Sequence, residues 1–273
     1  MSFQPVLPLD GFVGWRFLQR TLEAQSSAHA NTPTAQRDES YVRDKIGSIQ
    51  TAQELVSDRR LLRVALTAFG LEDDLPNRAY IEKVLESATG EAGSFVNRLT
   101  DKRYHQLATA FGFGDGGAPR NQASGFADTL IQKFQDRSFE AAVGAQNDTM
   151  RMALALERDL GSLAAQGSSE ATKWYTVLGT PSLRSVFETA FLLPSSFGTL
   201  DIDRQVEVLQ ERTERLTGSS SIAQFTDSAN LEALTKRFML AGQIQQFQSQ
   251  SGGSSALTLL QSGQASLRGL LGR

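Results

Sequence analysis

Apolar residues recur every three or four positions along most of this chain, the spacing that places them on one face of an α-helix. Four segments share one version of this pattern: Ser or Thr followed by Asp or Pro opens each segment, and a phenylalanine comes about ten residues later. These opening residues are typical of helix starts, because a Ser, Thr or Asp side chain accepts a bond from a free backbone N–H and proline fits the first helical position. We therefore predict four short capped helices. They lie in Ser57–Leu71, Thr100–Phe113, Thr180–Leu193 and Thr226–Leu240.

The four segments form two pairs in the same order. Aligned from the phenylalanine, the first and third share the pairs Leu61/Leu183, Val64/Val186, Thr67/Thr189, Ala68/Ala190 and Leu71/Leu193. A further amphipathic segment separates the members of each pair, at 80–85 and at 202–209. We predict an internal duplication that gives two pseudo-equivalent three-helix units, at residues 55–113 and 180–240.

The remaining segments complete an all-α prediction. We assign residues 1–54 to N-terminal helices, the glycine-rich stretch 114–125 to a linker, and residues 126–179 to helices that join the two units. Period-two runs of β-branched residues are missing, so little or no sheet is expected. The polar stretch Gln25–Gln36 is expected to be a mobile connection.

Residues 241–273 form a tail rich in Gln, Gly and Ser that carries an apolar stripe. The stripe consists of Leu257, Leu260, Leu267 and Leu271. Gly263 and Gly269 weaken it as an independent helix, by about 1 kcal/mol each. We predict that these leucines bind a protein partner or a second copy of the chain. The alternatives are that the tail folds back on its own domain or frays.

Composition narrows the functional classes. The chain has no cysteine, which excludes disulfides, thiolate nucleophiles and thiolate metal sites. Its net charge of −3 is spread evenly and leaves no basic stripe for nucleic acid. We see neither a secretory signal nor a run of about 20 apolar residues that would span a membrane. The protein is therefore expected to be soluble and cytoplasmic as made.

Two histidines are the first candidates for catalysis. His105 follows Asp101 by four residues on a predicted helix, a spacing that brings two side chains together. Asp101 is better explained as the cap of that helix, and no nucleophile elbow lies nearby. His29 falls in the polar amino-terminal stretch and is expected to be solvated.

The glycine-rich motif and the acidic clusters are also better explained by structural roles than by ligand binding. The glycines at 112, 114 and 117 follow a predicted helix, whereas a dinucleotide fingerprint follows a strand. The clusters Glu72–Asp74 and Asp201–Asp203 precede amphipathic helices, where the helix dipole favours acids. Arg59, Arg60 and Arg63 are predicted to form a solvated helix face. We predict no catalytic residue, cofactor or metal site.

Longer motifs add a family resemblance. The stretches Arg37–Asp74, Phe95–Asp115, Arg137–Gly144 and Leu183–Gln205 resemble the bacterial family known as domain of unknown function 1217. The resemblance implies an all-helical protein, and many members are encoded in alphaproteobacterial flagellar gene clusters. The family supplies no activity, ligand or functional residue to carry over.

We therefore expect a non-enzymatic helical interaction protein that takes part in flagellar assembly or motility. Its partners would be flagellar components or a second copy of the chain. Export through a flagellar-type route that needs no cleaved signal is compatible with this sequence. The alternative is a small-molecule-binding protein or an enzyme of unfamiliar type, with a pocket between the two units.

Overall fold

A computed structural model describes residues 3–245, and this part of the chain is all-helical. Twelve α-helices connected by loops and short 3₁₀ turns account for it, with no strand in the described residues. The first six helices are α1 (Gly11–Ala30), α2 (Pro33–Lys45), α3 (Ala52–Ser57), α4 (Arg59–Ala68), α5 (Arg78–Leu85) and α6 (Lys102–Phe111). The other six are α7 (Phe126–Gly144), α8 (Asp148–Ala164), α9 (Glu170–Gly179), α10 (Pro181–Ala190), α11 (Ile202–Thr217) and α12 (228–245). The four leucines of the predicted stripe lie outside the described residues.

Side chains cap three of the four predicted short helices. The carboxylate of Asp58 accepts bonds from two backbone N–H groups at the start of α4, and Asp101 and Asp227 each accept one at the start of α6 and α12. Pro181 occupies the first position of α10, as predicted. These caps satisfy N–H groups that have no partner within the helix.

Left-handed residues end three of these helices. Gly70 and Gly112 have φ of +69° and +67°, which glycine adopts without a steric cost. The corresponding residue after α10 is Leu192, with φ of 51°. The backbone N–H of Leu71 donates to Leu66 and that of Leu193 to Glu188, so α4 and α10 end with the same hydrogen-bond pattern.

Two hydrophobic cores lie side by side. The first core is enclosed by α2–α6 and is completed by the amino-terminal part of α7, through Leu130, Ile131 and Phe134. The second is enclosed by α8–α12 together with α1, and Phe139 and Val143 of α7 belong to it. We refer to residues 33–113 as the first half and to residues 148–245 as the second half. Helix α7 therefore bridges the two halves.

The predicted duplication has a counterpart in the order of elements. In both α3–α6 and α9–α12, two helices joined by one capping residue are followed by a 3₁₀ turn, a helix, another 3₁₀ turn and a last helix. The last helices differ, because α6 stops at Phe111 whereas α12 continues seven residues beyond Phe238, to residue 245. Duplication stays a prediction that this order supports.

The expectation for Gln25–Gln36 was wrong. Apart from a short turn, this stretch belongs to α1 and α2, because Thr32 caps α2 and Pro33 opens it. His29 is likewise not solvated. Its ring packs against Phe3 and Phe139, and partial burial lowers its pKa.

The arginine face of α4 also differs from the expectation. Arg60 Nε and Arg63 Nη2 bind the two carboxylate oxygens of Asp38 at 2.8 and 2.7 Å, and Asp38 is only 3% exposed. These two arginines therefore attach α2 to α4.

The stretch 114–125, predicted as a linker, packs on the first half. The side-chain amide of buried Asn121 donates to the carbonyls of Ile46 and Ile49. No helix among residues 3–245 is long and apolar enough to cross a membrane.

Candidate functional site

A cleft of about 1190 Å³ separates the two halves. Helix α7 forms its floor. One wall is formed by the end of α4 and by α6, and the other by α8, the end of α9 and the start of α10. The site thus lies at the seam between the halves. Most of its second wall comes from residues 148–176, which the sequence analysis assigned to the joining helices.

The floor is one charged face of α7. Lys133, Asp136, Arg137, Glu140 and Ala141 line the cleft at helical spacing. The opposite face of the same helix carries the apolar residues of both cores. This helix must serve both cores and the cleft, which explains why charged and apolar positions alternate along it.

Two arginines and two carboxylates lie where the floor meets the second wall: Arg137 and Glu140 on α7, and Arg158 and Asp159 on α8. Arg158 pairs with Glu140, and its Nε donates to Asp159 at 2.8 Å. Arg137 lies further from the same carboxylates, at 3.7 Å from Glu140 and 3.5 Å from Asp159, with no hydrogen bond to a described residue. Burial lowers the pKa of Arg137 to about 10. Its guanidinium therefore has N–H donors that no described residue accepts, in a partly dehydrated part of the cleft.

Further charges on the floor keep no ion pair within the described residues. The ammonium of Lys133 lies 4.8 Å from the ring centre of Phe69, and partial burial lowers its pKa. Partial burial also raises the pKa of Asp136. Both shifts mean that water hydrates these charges incompletely, so an added group can replace it at small cost.

The first wall is held in place by Arg103. Its guanidinium binds the carboxylate of Asp101 and donates to the carbonyl of Gly70. These bonds join the start of α6 to the end of α4. Glu72 and Asp73 lie on the rim of this wall and form no ion pair with a described residue.

The second wall carries no net charge and is rich in hydroxyls. Ser162, Thr176, Ser182 and Ser185 line it. Its charged residues form pairs within α8, Arg151 with Asp148 at 2.7 Å and Arg158 with Asp159 at 2.8 Å. This wall offers hydrogen bonds and small apolar surfaces rather than net charge.

No hydrogen bond or ion pair joins residues 33–113 directly to residues 148–245. The halves are instead linked through α7 and the residues next to it, as in the bond between Gln135 and Glu39. An occupant of the cleft would therefore touch two walls that have few direct contacts with each other.

One histidine candidate from the sequence lies at the site. His105 is on the cleft wall, yet its ring contacts Thr109 while Asp101 caps α6, in agreement with the structural interpretation. Within residues 3–245, no group of three or more His, Asp or Glu side chains has a geometry suited to a metal ion.

The acidic clusters start helices without capping them. No side chain caps α5 or α11. Asp74 instead accepts a bond from the hydroxyl of Tyr104 at 2.7 Å, and Asp203 accepts one from Tyr175 at 2.6 Å. The clusters thus attach neighbouring helices to each other.

Sequence reasoning missed the charged face of α7. Lys133, Arg137 and Ala141 recur every four residues, with Asp136 and Glu140 beside them. That pattern marks one helix face that is charged throughout, and it was a usable signal. It could not show that the face becomes the floor of a cleft, because this depends on how the two cores sit on α7.

These features define an all-helical protein with a polar cleft between two helical halves. The chain belongs to the family described as protein of unknown function DUF1217, whose model matches residues 68–231. A crystal structure of a protein from Agrobacterium tumefaciens is similar in fold, with 24% identity and a TM-score of 0.72. The match covers 89% of this chain and 99% of that one. No curated protein matches the sequence.

Proposed function

We propose that this protein is a non-enzymatic interaction protein that binds a polypeptide segment of a partner in the cleft between its halves. The observation that carries the proposal is the cleft itself, with its charged floor, a second wall of no net charge and a volume of about 1190 Å³. The proposal includes a role in flagellar assembly or motility, which rests on the family's frequent place in flagellar gene clusters.

The size of the cleft favours a polypeptide. Pockets for small molecules are usually about 300–1,000 Å³ and enclose most of the ligand. A helix about 10 Å wide that rises 1.5 Å per residue occupies roughly 120 Å³ per residue, so about ten residues would fill this cleft. A helix or extended segment of that length would reach both walls.

The chemistry of the floor points the same way. Lys133 and Asp136 have opposite charges one turn apart on α7, and neither has an ion-pair partner in the described part of the chain. A peptide with acidic and basic side chains one turn apart would pair with both. Arg137 adds N–H donors that no described residue accepts and that suit a carboxylate or a backbone carbonyl.

The proposal also includes the predicted internal duplication. Two copies of one helical unit, placed side by side on a shared helix, create a seam between them. The tail leucines Leu257, Leu260, Leu267 and Leu271 remain predicted partner-binding residues. The proposal also includes synthesis in the cytoplasm and is compatible with signal-independent export.

Ala141 offers a clean way to block the cleft. This residue lies exposed on the floor, so Ala141→Trp would fill the groove without entering either core. Ala24→Trp is the matched control, since Ala24 is an exposed helical alanine on α1 outside the cleft. Both changes carry the same small helix-propensity cost, about 0.5 kcal/mol.

The experiment is affinity capture from motile cells with the full-length wild type and both variants. We expect one or more partners to be retained by the wild type and by Ala24→Trp and lost by Ala141→Trp. A strain that carries only Ala141→Trp should swim poorly. Equal capture by all three proteins would contradict binding in the cleft, and normal flagellation and swimming after gene deletion would contradict the flagellar role.

The alternative, a small-molecule site, is favoured by one observation. Arg137 is a partly dehydrated cation with N–H donors that no described residue accepts, which is common where a small anionic ligand binds. Native mass spectrometry of the purified protein would detect such a ligand. A bound mass that disappears in Arg137→Met but persists in the control Arg212→Met would favour this alternative. Arg212 lies on α11, a helix that does not line the cleft.

A further inference from the structure

Near the end of the described part of the chain, α12 lies next to the start of α8. A β-carbon placed on Gly242 of α12 would lie 3.7 Å from Cγ2 of Thr149, the second residue of α8. The preceding residue, Asp148, lines the cleft together with Arg151. The carboxyl-terminal segment therefore starts within a few residues of the site.

The segment carries positive charge that one part of the cleft can pair with. Residues 246–273 contain Arg268 and Arg273 but no Asp or Glu. Acidic and basic residues are equal in number over the whole cleft lining. On the rim of the first wall, however, Glu72 and Asp73 form no ion pair with a described residue, so they are available to these arginines.

The apolar parts also match. Exposed Ala141 on the floor and half-buried Met152 on the second wall give the cleft apolar surface. In the segment, Leu257, Leu260, Leu267 and Leu271 recur at intervals of three, seven and four residues. Leucines at such intervals can line one side of a segment and leave its charged and polar residues to the rim.

We propose that the segment of the same chain that begins at Leu257 enters the cleft and competes there with the partner segment. This inference rests on the proposed function, because it assigns the cleft a second, intramolecular occupant. The eleven residues 246–256, mostly Gln, Ser and Gly, connect α12 to the first leucine. Fully extended they span up to about 36 Å, which is enough to reach the cleft from the end of α12.

The absence of cysteine makes a direct test possible. A single cysteine introduced as Ala141→Cys reports whether the floor is accessible, since no other thiol reacts. Ser162→Cys provides a second reporter on the opposite wall, and Ala24→Cys on α1 is the control outside the cleft. Each cysteine variant is made twice in the full chain. One version keeps the natural tail, and the other has Ser in place of Leu257, Leu260, Leu267 and Leu271.

The rate of maleimide modification is then measured for each pair. We expect the intact tail to slow modification at positions 141 and 162 by about tenfold, equivalent to about 1.4 kcal/mol of docking free energy. The Ser-substituted tail should remove this protection, and Ala24→Cys should react equally in both chains. Circular dichroism confirms that each variant is folded.

Two results would overturn the inference. Equal rates with both tails at both reporters would show that the segment does not occupy the cleft. Protection that increases with protein concentration would assign the cleft to the tail of a second copy instead. In either case the captured partner, added to the Ala141→Cys chain with its natural tail, would still protect that cysteine if the proposed function is correct. The two proposals can therefore fail separately.

Discussion

Replacing Asp38 by Asn should weaken the attachment of α2 to α4. Asp38 is 3% exposed and binds Arg60 and Arg63, whose side chains are 37% and 40% exposed. A hydrogen bond to a charged group contributes about 1.5–3 kcal/mol, and removing one partner of a fully buried pair costs about 3–5 kcal/mol. In Asp38→Asn the two partly exposed arginines become hydrated instead, and the side-chain oxygen of the new Asn still accepts one hydrogen bond. We therefore expect Asp38→Asn to lower the free energy of unfolding by about 2 kcal/mol.

Urea unfolding followed by circular dichroism measures this loss. Hydrogen exchange measured peptide by peptide shows which helices are destabilised. The amides of α2 and α4 should lose protection before those of α8 and α10. The control is Asp44→Asn, an exposed residue on the same helix, for which a change within about 0.5 kcal/mol is expected. A loss for Asp38→Asn no larger than that of the control would refute the reasoning. It would mean that the two arginines are as well solvated without the carboxylate.

Three further changes test other parts of the fold. Gly70→Ala should lower the free energy of unfolding by about 1–2 kcal/mol, because alanine is strained at a φ of +69°. The control Gly47→Ala should not lower it, because Gly47 lies in open space and has no positive φ. Thermal unfolding of the two variants and the wild type measures the difference. Lys173→Met should cost about 1–2 kcal/mol in urea unfolding, because the buried ammonium donates to a carbonyl at the end of α8. Burial lowers the pKa of His29 from 6.5, so the unfolded chain binds its proton more readily and stability should fall as the pH drops below about 6.5. His29→Gln should flatten that part of a stability–pH profile, and an unchanged profile would contradict the burial effect.

Local signals in the sequence predicted the helices well where a cap or a stop was present. Asp58, Asp101 and Pro181 mark helix starts in the structure, and Gly70 and Gly112 mark helix ends. Each of these acts through its own backbone or a neighbouring N–H, so no distant part of the chain is needed to interpret it. The all-helical fold follows from these local signals together with the apolar spacing.

Predictions failed where a distant contact decides the outcome. The stretch around His29 looked polar and mobile, but Phe3 and Phe139 pack against that histidine. The arginines of α4 looked solvated, but Asp38, more than 20 residues earlier, binds two of them. A polar residue whose partner comes from another helix has no signature in its own segment.

The cleft could not be predicted in detail for a related reason. Its walls are not equivalent parts of the two predicted units. The first wall uses the end of α4 and the whole of α6, whereas the second uses α8 and the start of α10. Two units related by a two-fold axis through the seam would have presented the same surface twice, as in an isologous dimer. The two walls of this cleft instead present different surfaces.

That arrangement has a consequence for binding. A two-fold seam would accept a symmetric ligand or two copies of one segment. The two walls of this cleft differ instead: the first carries the rim acids Glu72 and Asp73, and the second carries hydroxyls and charges paired with each other. One segment in one orientation satisfies it best: basic side chains toward Glu72 and Asp73, and a small or hydroxyl-bearing face toward Ser162 and Ser182. Reversing the sequence of a bound peptide, at constant composition, should therefore abolish its protection of Ala141→Cys. Equal protection by the forward and reversed peptides would mean that the cleft recognises charge alone and that the asymmetry of its walls has no part in selecting the partner.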